Sequence, residues 1–336
     1  MAALRGRRCG PLLSLIVLAA VVVLSLSVGS SSVGPAEVWA YLTGGEVASV
    51  ARNIIVTVRI PRVAAALLAG AALAVAGALI QAVLDNPLAS PSIIGVNSGA
   101  GFFVLLVSAV PVFAAEANPQ ILPVAAFAGA LLASGLVLLV SSRTGVSRLT
   151  VVLAGVALNA LFTAGSNTIL IVAPNVYVGS STYLIGGFSG VLLSDLAVPA
   201  GVCAVAFAAA LVLAPHLNVL SLGADQAHAL GMRVGVVRVA ALVAAALLAG
   251  AAVSYAGLLG FVGLVVPHVV RRFVGADNRR LLPACAVWGA AFTLLCDTIA
   301  RTAFSPYELP VGILLAFVGG PFFIFLLMRG RGFRDE

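Results

Sequence analysis

The side chains that most often carry chemistry are few in this sequence and widely spaced. The three histidines lie far apart in the chain, at His216, His228 and His268. A metal site needs several such ligands together, so we predict none and interpret His268 as a packing or interface residue. Paired carboxylates, or a nucleophile beside its base, do not occur at suitable spacing. We therefore expect a chain that is not itself an enzyme.

The four cysteines predict packing rather than redox chemistry. Cys285 and Cys296 fall on one predicted helix, where the helical rise separates them by about 16 Å, too far for a disulfide. We interpret all four as small apolar packing residues, namely Cys9, Cys203, Cys285 and Cys296.

The positive charge is carried by arginine alone. The sequence has 18 arginines, no lysine and 11 acidic residues, which gives a net charge of +7. Without lysine, a Walker A phosphate loop and Schiff-base chemistry are excluded. Any ATP must therefore be bound by another chain. Asp297 and Arg301 are four residues apart on a predicted helix, so they can pair with each other.

The hydrophobic composition indicates that these residues belong to a protein embedded in a membrane. Of the 336 residues, 62% are hydrophobic and 9% are charged, and the mean hydropathy is +1.19. Soluble domains carry about 25% charged residues and cannot bury so much apolar surface. We predict an all-α polytopic membrane protein, a single domain over residues 1–336, with about ten spans. These are residues 11–29, 62–84, 93–112, 120–140, 150–173, 191–213, 239–256, 258–273, 281–303 and 309–328.

Arginine placement predicts the orientation, because cytoplasmic loops are enriched in positive charge. The first segment resembles a signal peptide, but we interpret it as a retained span. With both termini cytoplasmic, fourteen arginines lie inside: Arg5, Arg7, Arg8, Arg143, Arg148, Arg233, Arg238, Arg271, Arg272, Arg279, Arg280, Arg329, Arg331 and Arg334. Four arginines lie outside: Arg52, Arg59, Arg62 and Arg301.

A short stretch of the sequence recurs about half a chain later. Residues 63–72 recur identically at 243–252, and the match resumes at 76–77 and 256–257. In the predicted topology the two copies run in opposite directions, so spans 2–5 and 7–10 would form an inverted repeat with halves of about 60–173 and 239–328. Chance similarity between two alanine-rich helices is the alternative.

Two segments break the hydrophobic pattern. Gln81 and Asn97 lie at membrane depth and need partners or water, while Pro87 and Pro91 force a short inner loop over 85–92. Residues 215–238 form the longest interior loop, in which Ser221 or Asp225 could cap a short helix and Gly231 could end it. Docking of a soluble partner is one interpretation of this loop, and a plain connection is the other.

Four ordered blocks resemble one known family. They are RIPRVAAALLAGAALAVAGALIQAVLDNPLASPSIIGVNSGAG, LGADQAHALGMRVGVVR, GFVGLVVPHVVRRFVGADNRRLLP and ELPVGILLAFVGGPFF. They are similar to the FecCD family of ABC-transporter permeases, which import ferric siderophores, haem and cobalamin. The resemblance extends from about residue 11 to residue 328. It implies a second permease copy, two ATPase subunits that bind ATP and Mg, and a substrate-binding protein outside the membrane.

The resemblance also implies roles for individual residues. Arg59, Arg62 and Arg301 would meet acidic residues of the binding protein, and snorkelling anchors are the alternative. Arg52 has no counterpart. Residues of the 215–238 loop would couple to the ATPases: Leu222, Gly223, Ala224, Ala229, Leu230, Gly231 and Arg233. We assign to the translocation pathway Gln81, Asn86, Pro87, Asn97, Gly260 and Pro267.

Together these features predict a multi-pass permease of the bacterial cytoplasmic (inner) membrane that moves its cargo by ATP-driven alternating access. Ferric siderophore is the expected cargo, with haem or cobalamin as alternatives, and we expect no nucleic-acid partner. A homodimer is expected. An ion-coupled secondary transporter is the alternative from another class, but it would need titratable residues at the membrane midplane, and the sequence has no cluster of them there.

Overall fold

A computed structural model describes residues 2–29, 33–110, 120–143 and 147–330, and within these ranges it describes side chains from Leu12 to Met328. Some predictions fall outside the described residues. They concern the last two residues of the third span, 111–112, the arginines Arg331 and Arg334, and the side chains of Arg5, Arg7, Arg8, Cys9 and Arg329.

The described residues form an all-helical fold, as the composition predicts. The α-helices are α1 (Ala2–Ser27), α2 (Pro35–Leu42), α3 (Ser49–Ile54), α4 (Ile60–Leu84), α5 (Val96–Ala109), α6 (Ile121–Arg143), α7 (Arg148–Val172), α8 (Val176–Ile185), α9 (Ala197–Leu220), α10 (Ala224–Ala229), α11 (Val234–Ala256), α12 (Val262–Val274), α13 (Asn278–Thr302) and α14 (Val311–Gly330). A π-helical turn, Ile55–Arg59, joins α3 to α4, and short 3-10 turns lie at Pro91–Ile94 and Leu193–Leu196.

Seven of these helices are long and apolar enough to cross a membrane, and α1 and α5 contribute shorter apolar stretches. Each of the ten predicted spans coincides with a helix, but α12 has only 13 residues. The total of ten, the inverted repeat and the cytoplasmic termini therefore stay predictions. The chain is a multi-pass membrane protein.

Helix α4 lies at the centre of the fold, where it packs against α11, α12 and α13. In the continuous helix from Ser49 to Leu84, 78% of the apolar stretch is buried, against 22% in α7 and 17% in α14. The two copies of the sequence repeat lie in α4 and α11. Helices α7 and α14 are peripheral, with faces left for lipid or for another chain.

The ends of the helices follow local chemistry. Ser147 caps α7, since its hydroxyl accepts a hydrogen bond from the Thr150 N–H at 3.2 Å and Thr150 Oγ1 accepts one from the Ser147 N–H. Asp85, at φ 48°, ends α4 in the left-handed conformation. Gly257, at φ 70°, separates α11 from α12, where an added Cβ would lie 2.3 Å from the Tyr183 carbonyl oxygen. This glycine sets the boundary between the seventh and eighth predicted spans.

The predicted interior loop 215–238 is shorter than expected. Residues 215–220 belong to α9, despite Pro215, and residues 234–238 belong to α11. Leu217 and Leu220 are buried in the core, which extends α9 beyond the proline. The sequence also missed α2 and α8, which are short helices outside the predicted spans.

Candidate functional site

Three of the four arginines predicted to lie outside come together at one end of the bundle. Arg59 ends the π-helical turn, Arg62 lies in the first turn of α4, and Arg301 lies in the last turn of α13. Two carboxylates accompany them, Asp297 of α13 and Glu308 of the loop before α14. We call these five residues the outer arginine cluster, after the side of the membrane that the sequence predicts for its arginines.

Arg62 is held by two carboxylates. Its Nε and Nη2 donate to Asp297 Oδ2 and Oδ1, both at 3.0 Å, and its Nη1 donates to Glu308 Oε2 at 2.5 Å. Asp297 is fully buried, whereas the Glu308 side chain is 32% exposed. A bidentate guanidinium–carboxylate pair has strict geometry, so Arg62 fixes α4 against α13 and the loop before α14.

The other two arginines donate hydrogen bonds to groups at the end of α1 and in the segment that follows it. Arg59 Nη1 donates to the Leu26 carbonyl at 2.6 Å and its Nη2 to the Val33 carbonyl at 2.7 Å. Arg301 Nη2 donates to the carbonyl oxygen of Ser25, and to Ser25 Oγ at 2.8 Å. The last carbonyls of a helix have no partner within it and carry partial negative charge, so two guanidinium groups stabilise this end.

The arginines of the cluster are buried, although the prediction that they meet a binding protein requires them to be accessible. Arg59, Arg62 and Arg301 are only 2%, 6% and 3% exposed, and their donors reach groups of this same chain. The predicted pair within α13 is confirmed, with Arg301 Nε 3.7 Å from Asp297 Oδ2. Sequence analysis missed the contacts of Arg62 with α13 and with Glu308, which are more than 200 residues distant. Docking of a binding protein on these arginines stays a prediction.

The residues assigned to the translocation pathway lie in two groups. Gln81 is buried, with its Nε2 3.4 Å from the Gly263 carbonyl and its Oε1 3.3 Å from Arg271 Nη2. Asn97 donates to the Leu259 carbonyl at 3.2 Å and lines a cavity of about 10 Å³ together with Gly260. A cavity of this volume is at the limit for one water molecule, and the part of these residues in a pathway stays a prediction.

The remaining residues assigned to the translocation pathway lie in a turn and inside a helix. Asn86 and Pro87 lie in the turn after α4, where Asn86 Oδ1 accepts a hydrogen bond from the Leu88 N–H at 2.9 Å. Pro267 is buried within α12. Their part in a pathway stays a prediction.

The polar stripe on α7 was missed by the sequence analysis. Asn159 is half-buried and accepts a hydrogen bond from Ser98 Oγ, while Thr163 and Asn167, one and two turns further on, are exposed. The spacing of four residues was the available signal, because it places all three on one helix face.

The predicted short helix of the interior loop is present as α10. Its N-cap is Gly223, at φ 111°, rather than Ser221 or Asp225, because Ser221 Oγ bonds back to the Asn218 carbonyl at 2.7 Å and finishes α9. Gly231, at φ 82°, follows its last turn as expected. The predicted coupling residues surround it: Leu222, Gly223, Ala224, Ala229, Leu230, Gly231 and Arg233. Leu222 and Leu230 are 59% and 68% exposed.

His268 and the three described cysteines lie in packed surroundings. His268 lies edge-on to Phe322, with ring centroids 5.8 Å apart. Among the described residues, no group of three or more histidine, cysteine, aspartate or glutamate side chains could hold a metal ion. The three described cysteines are free and buried, namely Cys203, Cys285 and Cys296.

Comparisons with known proteins identify the family. The model of the FecCD transport family matches residues 17–329. The ferric enterobactin transport system permease protein of Escherichia coli is 40% identical over 322 residues, which cover 95% of this chain and 94% of that protein. The hemin transport system permease protein of Yersinia pestis is 38% identical over 286 residues, or 83% and 84% of the two chains.

A solved structure gives the same answer. An inward-facing metal-chelate type ABC transporter superposes with a TM-score of 0.80 and 30% identity, covering 94% of this chain and 97% of that chain. The family model and the relatives each cover most of the sequence. This chain therefore belongs to the FecCD transport family.

Proposed function

We propose that this chain is the membrane-spanning permease subunit of a binding-protein-dependent ABC importer in the bacterial cytoplasmic (inner) membrane, and that its cargo is a ferric siderophore. The observation that carries the proposal is the 40% identity, over 95% of the chain, to a ferric enterobactin permease. Haem and cobalamin are the alternative cargos. ATP and Mg would be bound by two partner ATPase subunits, since this chain has no lysine for a Walker A loop.

We infer that the passage forms between two copies of this chain, along α7 and α14. These helices have the least buried apolar stretches of the seven long spans. Thr163 and Asn167 lie on an exposed face of α7, and polar side chains at membrane depth occur where they line water or protein. A second copy would enclose this stripe in a wide passage that binds cargo weakly.

We infer that α10 couples the ATPases to the passage. Leu222 and Leu230 expose apolar side chains at its two ends, and Arg233 is exposed beside them. An exposed apolar pair with an adjacent charge suits a protein interface. Movement of α10 by the ATPases would drive alternating access.

Binding-protein docking is proposed at the outer arginine cluster, where three arginines and two carboxylates leave a net charge of +1. We expect Glu308→Gln to raise this charge to +2 without removing a buried group, because Glu308 is its most exposed acidic member. Electrostatic steering should then raise the association rate of an acidic binding protein about threefold at low salt, an effect that high salt removes. Surface plasmon resonance on the permease in nanodiscs measures this rate.

Glu46→Gln is the matched control, since Glu46 is an exposed carboxylate in the loop between α2 and α3 and undergoes the same change of charge. Equal acceleration by both variants would mean that the overall charge of the permease matters and the cluster does not. An unchanged rate for Glu308→Gln would count against docking there.

The function is tested by the ATPase activity of the reconstituted transporter. We expect the binding protein loaded with ferric enterobactin to stimulate ATP hydrolysis, and loading with haem or cobalamin to stimulate it less. Strongest stimulation by haem or cobalamin would reassign the cargo. Uptake into vesicles that continues without ATP or the ATPase would instead support a secondary transporter and refute the proposal.

A further inference from the structure

Helices α9 and α13 are joined at one end by a small hydrogen-bonded group. Asn218 of α9 donates from Nδ2 to Asp277 Oδ1 at 2.6 Å. Its Oδ1 accepts from the Asn278 backbone N–H at 2.8 Å and from Asn278 Nδ2 at 2.9 Å. We call these three residues the Asn218 clasp.

The clasp holds the first residues of α13 firmly. Asn278 is only 4% exposed, and Asp277 Oδ1 also accepts from the Arg279 N–H at 3.0 Å, which caps the helix. The hydrogen bond from Asn218, followed by that from Arg279, lowers the pKa of Asp277 below its ordinary value. Asn218 therefore touches both the cap and the first backbone N–H of α13.

A short turn connects the clasp to α10. Only residues 221–223 separate α9 from α10, and each of them donates a hydrogen bond back to α9. Ser221 Oγ donates to the Asn218 carbonyl at 2.7 Å, and the N–H groups of Leu222 and Gly223 donate to carbonyls of α9 at 3.1 Å. Because this connection is short and held by hydrogen bonds, a displacement of α10 is transmitted to Asn218.

Helix α13 continues from the clasp to the outer arginine cluster. Its 25 residues span about 37 Å, with Asn278 at one end and Asp297 and Arg301 near the other. In between, Trp288 Nε1 donates to Ser14 Oγ of α1 at 3.0 Å. A packed helix that is anchored at both ends carries displacement along its axis.

We propose that Asn218 is a positioning residue that ties the movement of α10 to α13, and through α13 to the outer arginine cluster. The inference rests on the proposed function, because it requires ATPases at α10 and a binding protein at the opposite end. It assigns the contact by which docking on one side of the membrane alters ATP hydrolysis on the other.

The test exchanges the two partners of the clasp. Asn218→Asp removes the donor to Asp277 and sets two carboxylates against each other. The double variant Asn218→Asp/Asp277→Asn restores one donor and one acceptor, and asparagine caps a helix as well as aspartate does. In the reconstituted complex we expect Asn218→Asp to lower the ratio of stimulated to basal ATPase activity about fivefold, at the low end of couplings between distant sites. The double variant should recover most of that ratio.

Ser142→Ala is the control, because it removes the same kind of hydrogen bond, from a serine hydroxyl to the carbonyl three residues back, near the end of α6, which contributes nothing to the clasp. The probe is the binding protein loaded with ferric enterobactin, and equal amounts of assembled complex are compared. If Asn218→Asp lowers the yield, Asn218→Ser takes its place. If the Asn218 variant keeps the full ratio of stimulated to basal ATPase activity, the proposed role of the clasp is overturned. A loss of this ratio that the double variant Asn218→Asp/Asp277→Asn fails to restore overturns it as well. An unmodified complex that no loaded binding protein stimulates refutes the proposed function itself.

Discussion

Replacement of Asp297 by asparagine is expected to lower the free energy of unfolding by about 3 kcal/mol, because removal of one member of a buried ion pair leaves its partner's charge uncompensated. Asp297 is fully buried and accepts three hydrogen bonds from Arg62. It also lies 3.7 Å from Arg301 Nε. Asparagine has nearly the same shape, so the loss reflects charge rather than a cavity. SDS-induced equilibrium unfolding of the purified chain in mixed micelles measures the change.

Asp225→Asn is the control for this experiment. Asp225 is an exposed carboxylate on α10, so its neutralisation should change the free energy of unfolding by no more than about 0.5 kcal/mol. A comparably small effect of Asp297→Asn would show that Asp297 does not balance the buried arginines. The cluster would then be solvated.

The large effect expected at Asp297 follows from a contact that spacing along the chain could not reveal. The i, i+4 relation predicted the pair of Asp297 with Arg301, which the structure confirms. Arg62, which belongs to α4, is the stronger partner of Asp297. Such pairs depend on how the helices pack, and local spacing says nothing of that. Arg59 and Arg301 were expected to face outward for a related reason, since their partners are backbone carbonyls near the end of α1, which no side-chain pattern records.

Other parts of the fold could be predicted from the sequence because they depend on residues that are close together in the chain. The hydrophobic runs located the helices of all ten predicted spans, and Gly231 marked the end of α10. The interior loop was predicted to begin at residue 215, but α9 continues through Pro215 to Leu220, where Leu217 and Leu220 are buried. In a helix fixed by packing, the burial of two leucines outweighs the one hydrogen bond that proline removes.

Replacement of Gly70 by alanine is expected to cost about 3 kcal/mol, at the upper end for overpacking of a well-packed core. Gly70 of α4 and Gly289 of α13 meet where the two helices cross. A Cβ on Gly70 would lie 2.2 Å from the Gly289 carbonyl oxygen, and a Cβ on Gly289 would lie 2.3 Å from the Gly70 carbonyl oxygen. Both obstacles are backbone atoms, which cannot rotate away, so the helices must separate. Unfolding in SDS and the yield of monodisperse protein report the loss.

Gly201→Ala separates this effect from the intrinsic preference of helices for alanine. Gly201 lies on an exposed face of α9, and among the described residues no atom comes within 4 Å of the Cβ that it would gain. Alanine there should be neutral or stabilising by up to about 1 kcal/mol, since it lowers the entropy of the unfolded chain. Equal tolerance of both substitutions would mean that α4 and α13 are further apart than this crossing requires. Asp297 and Arg62 lie on the same two helices, so a wider separation would also lengthen the ion pair between them. Destabilisation by Gly70→Ala and by Asp297→Asn would therefore support one arrangement of α4 and α13 through two independent contacts, one steric and one electrostatic.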